Sequence, residues 1–71
     1  MFSKFMQKLA AGQPVTLRNP ASGEIAFRIG GKLFTLSTDQ PLVITDAVPR
    51  AQLYQATELH ARIKAGMVLV D

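Results

Sequence analysis

The amino-acid sequence predicts an α+β domain, and three observations carry that prediction. Apolar residues open the chain at helical spacing, as Phe2, Phe5, Met6 and Leu9. Period-two alternation around an adjacent glycine pair follows between Glu24 and Ser37. A second helical stripe, Leu53, Ala56, Leu59 and Ile63, then runs into an apolar strand. The implied order is helix, strand, hairpin, strand, helix, strand. That order describes a small, mainly antiparallel curved sheet of about four to five strands packed on one C-terminal helix, with an N-terminal amphipathic helix added. Residues 1–12 form this first helix or a docking arm, and residues 13–71 form a single small α+β domain.

In the first element Lys4, Gln7 and Lys8 lie opposite the apolar face. Gly12-Gln13-Pro14 ends the helix and starts an extended segment, Val15 to Arg18, with Val15 and Leu17 on one face. Asn19-Pro20-Ala21-Ser22-Gly23 has turn chemistry at almost every position. In the next stretch Ile25, Phe27 and Ile29 alternate with Glu24, Ala26 and Arg28. Gly30-Gly31 supplies the two positive φ angles that a two-residue hairpin turn demands. The register follows from the turn: Ile29 faces Lys32, Phe27 faces Phe34 and Ile25 faces Leu36, which puts the bulky apolar residues of both strands on one side.

Ser37 to Gln40 is turn-like, and Leu42 to Thr45 is a further short strand with Pro41 at its entry. Asp46 is placed to cap the second helix, Pro49 stands in its first turn and Gly66 closes it. Glu58 and Arg62 make an i,i+4 pair on its outer side, and Arg62 and Lys64 suit the negative end of its dipole. Met67 to Asp71 is almost continuously apolar, the pattern of a strand inside a sheet rather than at its rim. There is no internal repeat.

A chain of 71 residues makes one domain, and at this size folding removes only roughly 60% of the unfolded chain's surface from water. Disulfides and a structural metal are the usual supports, yet the chain has no cysteine and a single histidine, His60. Oligomerisation or docking on a partner is the remaining support. With 48% hydrophobic and only 18% charged residues, some apolar side chains should stay uncovered on an isolated monomer and form a contact surface.

The net charge of +3 is uneven. Residues 1–36 hold Lys4, Lys8, Arg18, Arg28 and Lys32 against Glu24 alone, whereas the rest holds Arg50, Arg62 and Lys64 against Asp39, Asp46, Glu58 and Asp71. Such polarity steers the basic half toward nucleic acid, an anionic membrane or an acidic protein face. No apolar run is long enough to span a membrane, and Lys4, Gln7 and Lys8 interrupt what a secretory signal would need. The expected location is a virion or a host cytoplasm, and membrane binding is not expected.

No nucleophile and base stand together. Glu58 is two residues from His60, which on a helix points it to another face, and Ser3, Ser22 and Ser37 sit in unrelated segments. No catalytic, cofactor or metal site is predicted, and His60 is expected to be a partly buried, hydrogen-bonded structural histidine. Gly30-Gly31-Lys32 lacks the upstream glycine and the following Ser or Thr of a phosphate loop, and it joins two strands. Phe27 and Phe34 with Arg28 and Lys32 invite a base-stacking platform, but the register turns both rings into a core. Phe2, Phe5, Met6 and Leu9 remain the open question. They complete this chain's own core, covering the sheet opposite the second helix, or enter a groove on a neighbour, or, as the least favoured reading for so short a segment, lie on a membrane surface.

The run Pro49 to Val70, with Leu59, Ile63, Gly66 and Val68-Leu69-Val70, resembles the closing helix, glycine and strand of very small proteins from the structural gene modules of tailed bacteriophages. The Arg18-Asn19 loop and the Gly30-Gly31 hairpin are compatible with them. The resemblance implies a non-enzymatic virion component, a capsid-stabilising, decorating or head-to-tail joining subunit present in many copies. The expected partners are copies of itself or other capsid proteins, with Phe2, Phe5, Met6 and Leu9 as contacts. The rival reading is a small nucleic-acid-binding regulator using Lys4, Lys8, Arg18, Arg28 and Lys32. A third, a phage-encoded inhibitor of a host protein, uses the same kind of contact surface.

Overall fold

A computed structural model describes residues 1–71. The elements are α1 (Phe2–Ala10), β1 (Thr16–Arg18), β2 (Glu24–Ile29), β3 (Lys32–Ser37), β4 (Leu42–Val43), α2 (Ile44–Ala47), α3 (Arg50–Leu53), α4 (Thr57–Lys64) and β5 (Leu69–Val70). The class is α+β with antiparallel pairing throughout. The five strands divide into two sheets, one of order β4-β1-β5 and one made of β2 and β3 alone.

The hairpin has the register that its turn imposes: Ile29 opposite Lys32, Phe27 opposite Phe34 and Ile25 opposite Leu36. Gly30 and Gly31 take φ of 57° and 81°, a conformation that costs an L side chain about 1–2 kcal/mol. Phe27 and Phe34 stack with centroids 5.9 Å apart inside the core.

The two sheets are bridged by Asn19, a side chain only 2% exposed. Its Nδ2 donates to the Leu36 carbonyl on β3 at 3.0 Å and to the Gly23 carbonyl at 3.1 Å, while Oδ1 accepts the Ala21 N–H at 2.9 Å. The amide therefore spans the gap between the end of β1 and β3, where no backbone ladder forms.

The region expected to be one long helix is three short ones. Asp46 does not cap: the N-cap of α2 is Val43, with no side-chain bond. Ile44 and Thr45, expected in the strand, begin α2, although the Ile44 N–H still bonds the Val15 carbonyl at 2.9 Å. Val48 precedes Pro49 and is extended, at φ −138° and ψ 133°, because the proline ring disfavours a helical residue before it. A second break falls at Ala56, where φ −80°, ψ 74° and the Thr57 N–H to Gln55 carbonyl bond of 2.9 Å make an inverse γ-turn. The stripe Leu53, Ala56, Leu59 and Ile63 stays buried across that break. The Glu58–Arg62 pair is not formed, since the one ion pair in the structure is Arg18–Asp71.

Strand β5 lies at the rim, not inside the sheet; the central strand is β1. The burial that made its sequence so apolar is supplied by α1, which packs against it, and the Val70 N–H meets the Met1 sulfur at 3.2 Å.

Candidate functional site

The four residues expected to reach a neighbour are held by this chain. Phe5 is 0% and Leu9 3% exposed, both within the core, and Phe2 and Met6 are half-buried against it. This corrects the docking-arm expectation for Phe5 and Leu9: neither can enter a partner's groove without leaving its own core. Helix α1 lies beside α4 and β5 instead of opposite the second helix. Its first turn is fastened by aromatic contacts, with the Phe2 and Phe5 rings edge-on to His60 at 5.1 and 5.6 Å and the Lys64 ammonium 4.5 Å from the Phe2 centroid. His60 in turn places Nε2 2.8 Å from the Leu53 carbonyl, joining the two sides of the Ala56 break, as a structural histidine does.

The far end of α1 is closed by Gly12 in the left-handed region at φ 73°, with Gln13 N–H bonded to the Lys8 carbonyl and Gly12 N–H to the Leu9 carbonyl. Onto these carbonyls comes the Arg50 guanidinium, which donates to Lys8, Leu9 and Gln13 at 3.4, 3.3 and 2.7 Å. A cation at the negative end of a helix dipole is favourable on electrostatic grounds as well. Sequence reading assigned Arg50 no role, because its partners lie about forty residues away.

The five candidate anion-binding cations are dispersed. Lys8 Nζ donates to the Asp71 carbonyl, and Arg18 Nε stands 3.5 Å from the Asp71 carboxylate. Near the hairpin turn, Arg28 donates to the Gly31 carbonyl at 3.4 Å and the Lys32 ammonium lies 5.3 Å from the Phe34 centroid. Lys4 is exposed on α1. Lys8 and Arg18 thus converge on Asp71, and the burial of Phe27 and Phe34 leaves no aromatic platform beside Arg28 and Lys32.

What stays uncovered is the outer side of the hairpin. Its inner side carries Phe27, Ile29, Phe34 and Leu36 into the core, whereas Glu24, Ala26 and Arg28 on β2, and Leu33 and Thr35 on β3, face solvent. Leu33 is 51% exposed, and Met1, Tyr54 and Met67 are large exposed apolar residues elsewhere. The closing pair Ile29–Lys32 of a two-residue turn exchanges its backbone bonds, so the pairs alternate from there. The N–H and C=O groups of Glu24, Ala26 and Arg28 consequently point away from β3, along an edge that pairs with no other strand.

The surface holds no cavity, no group of three His, Asp or Glu residues gathers anywhere, and no helix is long and apolar enough to cross a membrane. No protein-family model matches the chain, and no curated protein and no solved structure does so either.

Proposed function

We propose that this protein is a non-enzymatic interaction module that works by burying surface against copies of itself or a larger assembly. The observation that carries the reading is the separate, two-stranded hairpin sheet, whose outer face and edge the chain leaves bare. An open edge is a template for pairing with another strand, and folded proteins ordinarily cover one that has no use or blunt it with charges, bulges or proline. The contact surface is thus moved from the first helix, where the sequence alone placed it, to the hairpin. Within this reading the role is that of a minor virion component, for capsid decoration, stabilisation or head-to-tail joining. That finer assignment is supported by the resemblance of the run Pro49 to Val70, with Leu59, Ile63, Gly66 and Val68-Leu69-Val70, to small phage structural proteins.

The solution mass of the intact chain across a concentration series tests self-assembly: reversible growth beyond one chain is expected, and a monomer at every concentration removes it. Mass spectrometry of purified particles of a tailed bacteriophage that encodes the chain tests the virion role, which absence from the particles would remove.

A further inference from the structure

We infer that the partner at the hairpin edge is a second copy of this chain, joined antiparallel through β2 about a two-fold axis at Ala26; the inference rests on the self-assembly reading above. The argument begins with the order of side chains along β2. Glu24, Ala26 and Arg28 share its outer face, and their backbone groups point to the open edge. Two such strands laid antiparallel with Ala26 opposite Ala26 bring Glu24 of each copy opposite Arg28 of the other. The segment is its own complement in charge, with the smallest side chain on the axis.

Hydrogen bonding follows the same register. Ala26–Ala26 and both Glu24–Arg28 pairs are bonded pairs, about six backbone bonds in all, made by groups that have no partner within the chain. Glu24 and Arg28 are also free to change partners. Neither makes an ion pair, and each has one exposed hydrogen bond, Ser37 Oγ to Glu24 at 3.3 Å and Arg28 to the Gly31 carbonyl at 3.4 Å. On the inner face the half-buried Ile25 comes opposite Phe27 of the second copy, which covers the one inward apolar residue of β2 that the monomer leaves partly wet.

Charges on an edge strand usually guard against pairing. Here they discriminate instead. A parallel approach or a shift by two residues loses the opposite-charge match, while the two-fold arrangement satisfies both charges twice. The interface is isologous and closes at two chains.

Light scattering of the full chain over a concentration series gives the test. The expected mass rises from one chain to two. Arg28→Glu and Glu24→Arg each set like charges across the axis, so each alone stays a single chain, while an equimolar mixture of the two variants regains the doubled mass. Ala26→Pro removes an outward N–H that nothing in the monomer uses, so it should fold and remain single; circular dichroism verifies the fold of every variant. A dimer indifferent to Arg28→Glu and Ala26→Pro overturns the β2 pairing while self-assembly stands. Dimers of the intact chain without dimers in the mixture overturn the register. A monomer at all concentrations overturns both the pairing and self-assembly.

Discussion

Asn19 shows how much a single amide can organise in a chain this small. It is the one buried polar side chain, and its three hydrogen bonds tie a loop, the end of β1 and the last part of β3 together. Asn19→Ala should strand the Ala21 N–H and the Leu36 carbonyl contact, lowering stability by about 1–3 kcal/mol in urea unfolding. Arg18, its neighbour, makes the only ion pair, with Asp71, but both side chains are nearly half exposed and the separation is 3.5 Å. Arg18→Ala should therefore move the same unfolding curve by less than about 0.5 kcal/mol. The contrast separates a desolvated amide with both donors and its oxygen engaged from a charge pair that water already solvates.

Among the elements, α1 is the one whose role changes most between the linear chain and the folded one. Phe5 and Leu9 sit in the core and Phe2 leans on His60, so the helix closes the molecule over α4 and β5. A chain beginning at Gln13 should lose its cooperative unfolding transition, and Phe5→Ala in the full chain should lower stability by about 3–5 kcal/mol, both readable by circular dichroism. A folded shortened chain would return α1 to the status of an arm. Arg50 pins the end of this helix from forty residues away, partly exposed, which limits its worth to about 1 kcal/mol. Arg50→Met should thus leave the sheets intact while amide exchange in the last turn of α1 accelerates, measurable by hydrogen exchange.

For the molecule as a whole, the radius of gyration of 10.9 Å is that of a compact chain, for which the scaling law gives about 11 Å. No part stands apart as a tether, and the sixteen-residue apolar core is continuous through both sheets and the helices. Chains of this length hold only about 4–10 kcal/mol of folding stability. Pairing of two copies adds to that by mass action. The thermal midpoint of the intact chain should accordingly rise with protein concentration, and that of Ala26→Pro should not; equal behaviour of the two in scanning calorimetry would separate stability from the β2 edge.

The α+β class, the existence and register of the Gly30-Gly31 hairpin, the ends of α1 and α4 at Gly12 and Gly66, and the buried stripe Leu53, Ala56, Leu59 and Ile63 were all readable in the sequence. Each rests on interactions spanning a few residues: a periodicity, a positive φ, a turn that dictates which side chains face each other. Helix continuity was half readable, since Pro49 carries its own signal while the Ala56 turn has none and is held by packing and by His60. The tertiary structure alone decided that β5 lies at the rim, that Asn19 bridges two sheets, that Arg50 closes α1, and that Phe5 and Leu9 face inward to this chain. An amphipathic face specifies that something must cover it, and hydrophobic burial has no direction by which the sequence could name the cover. Only the folded chain places α4 and β5 beside that face, and leaves the outer face and free edge of β2 in solvent while Phe27 and Ile29 of the same strand turn inward.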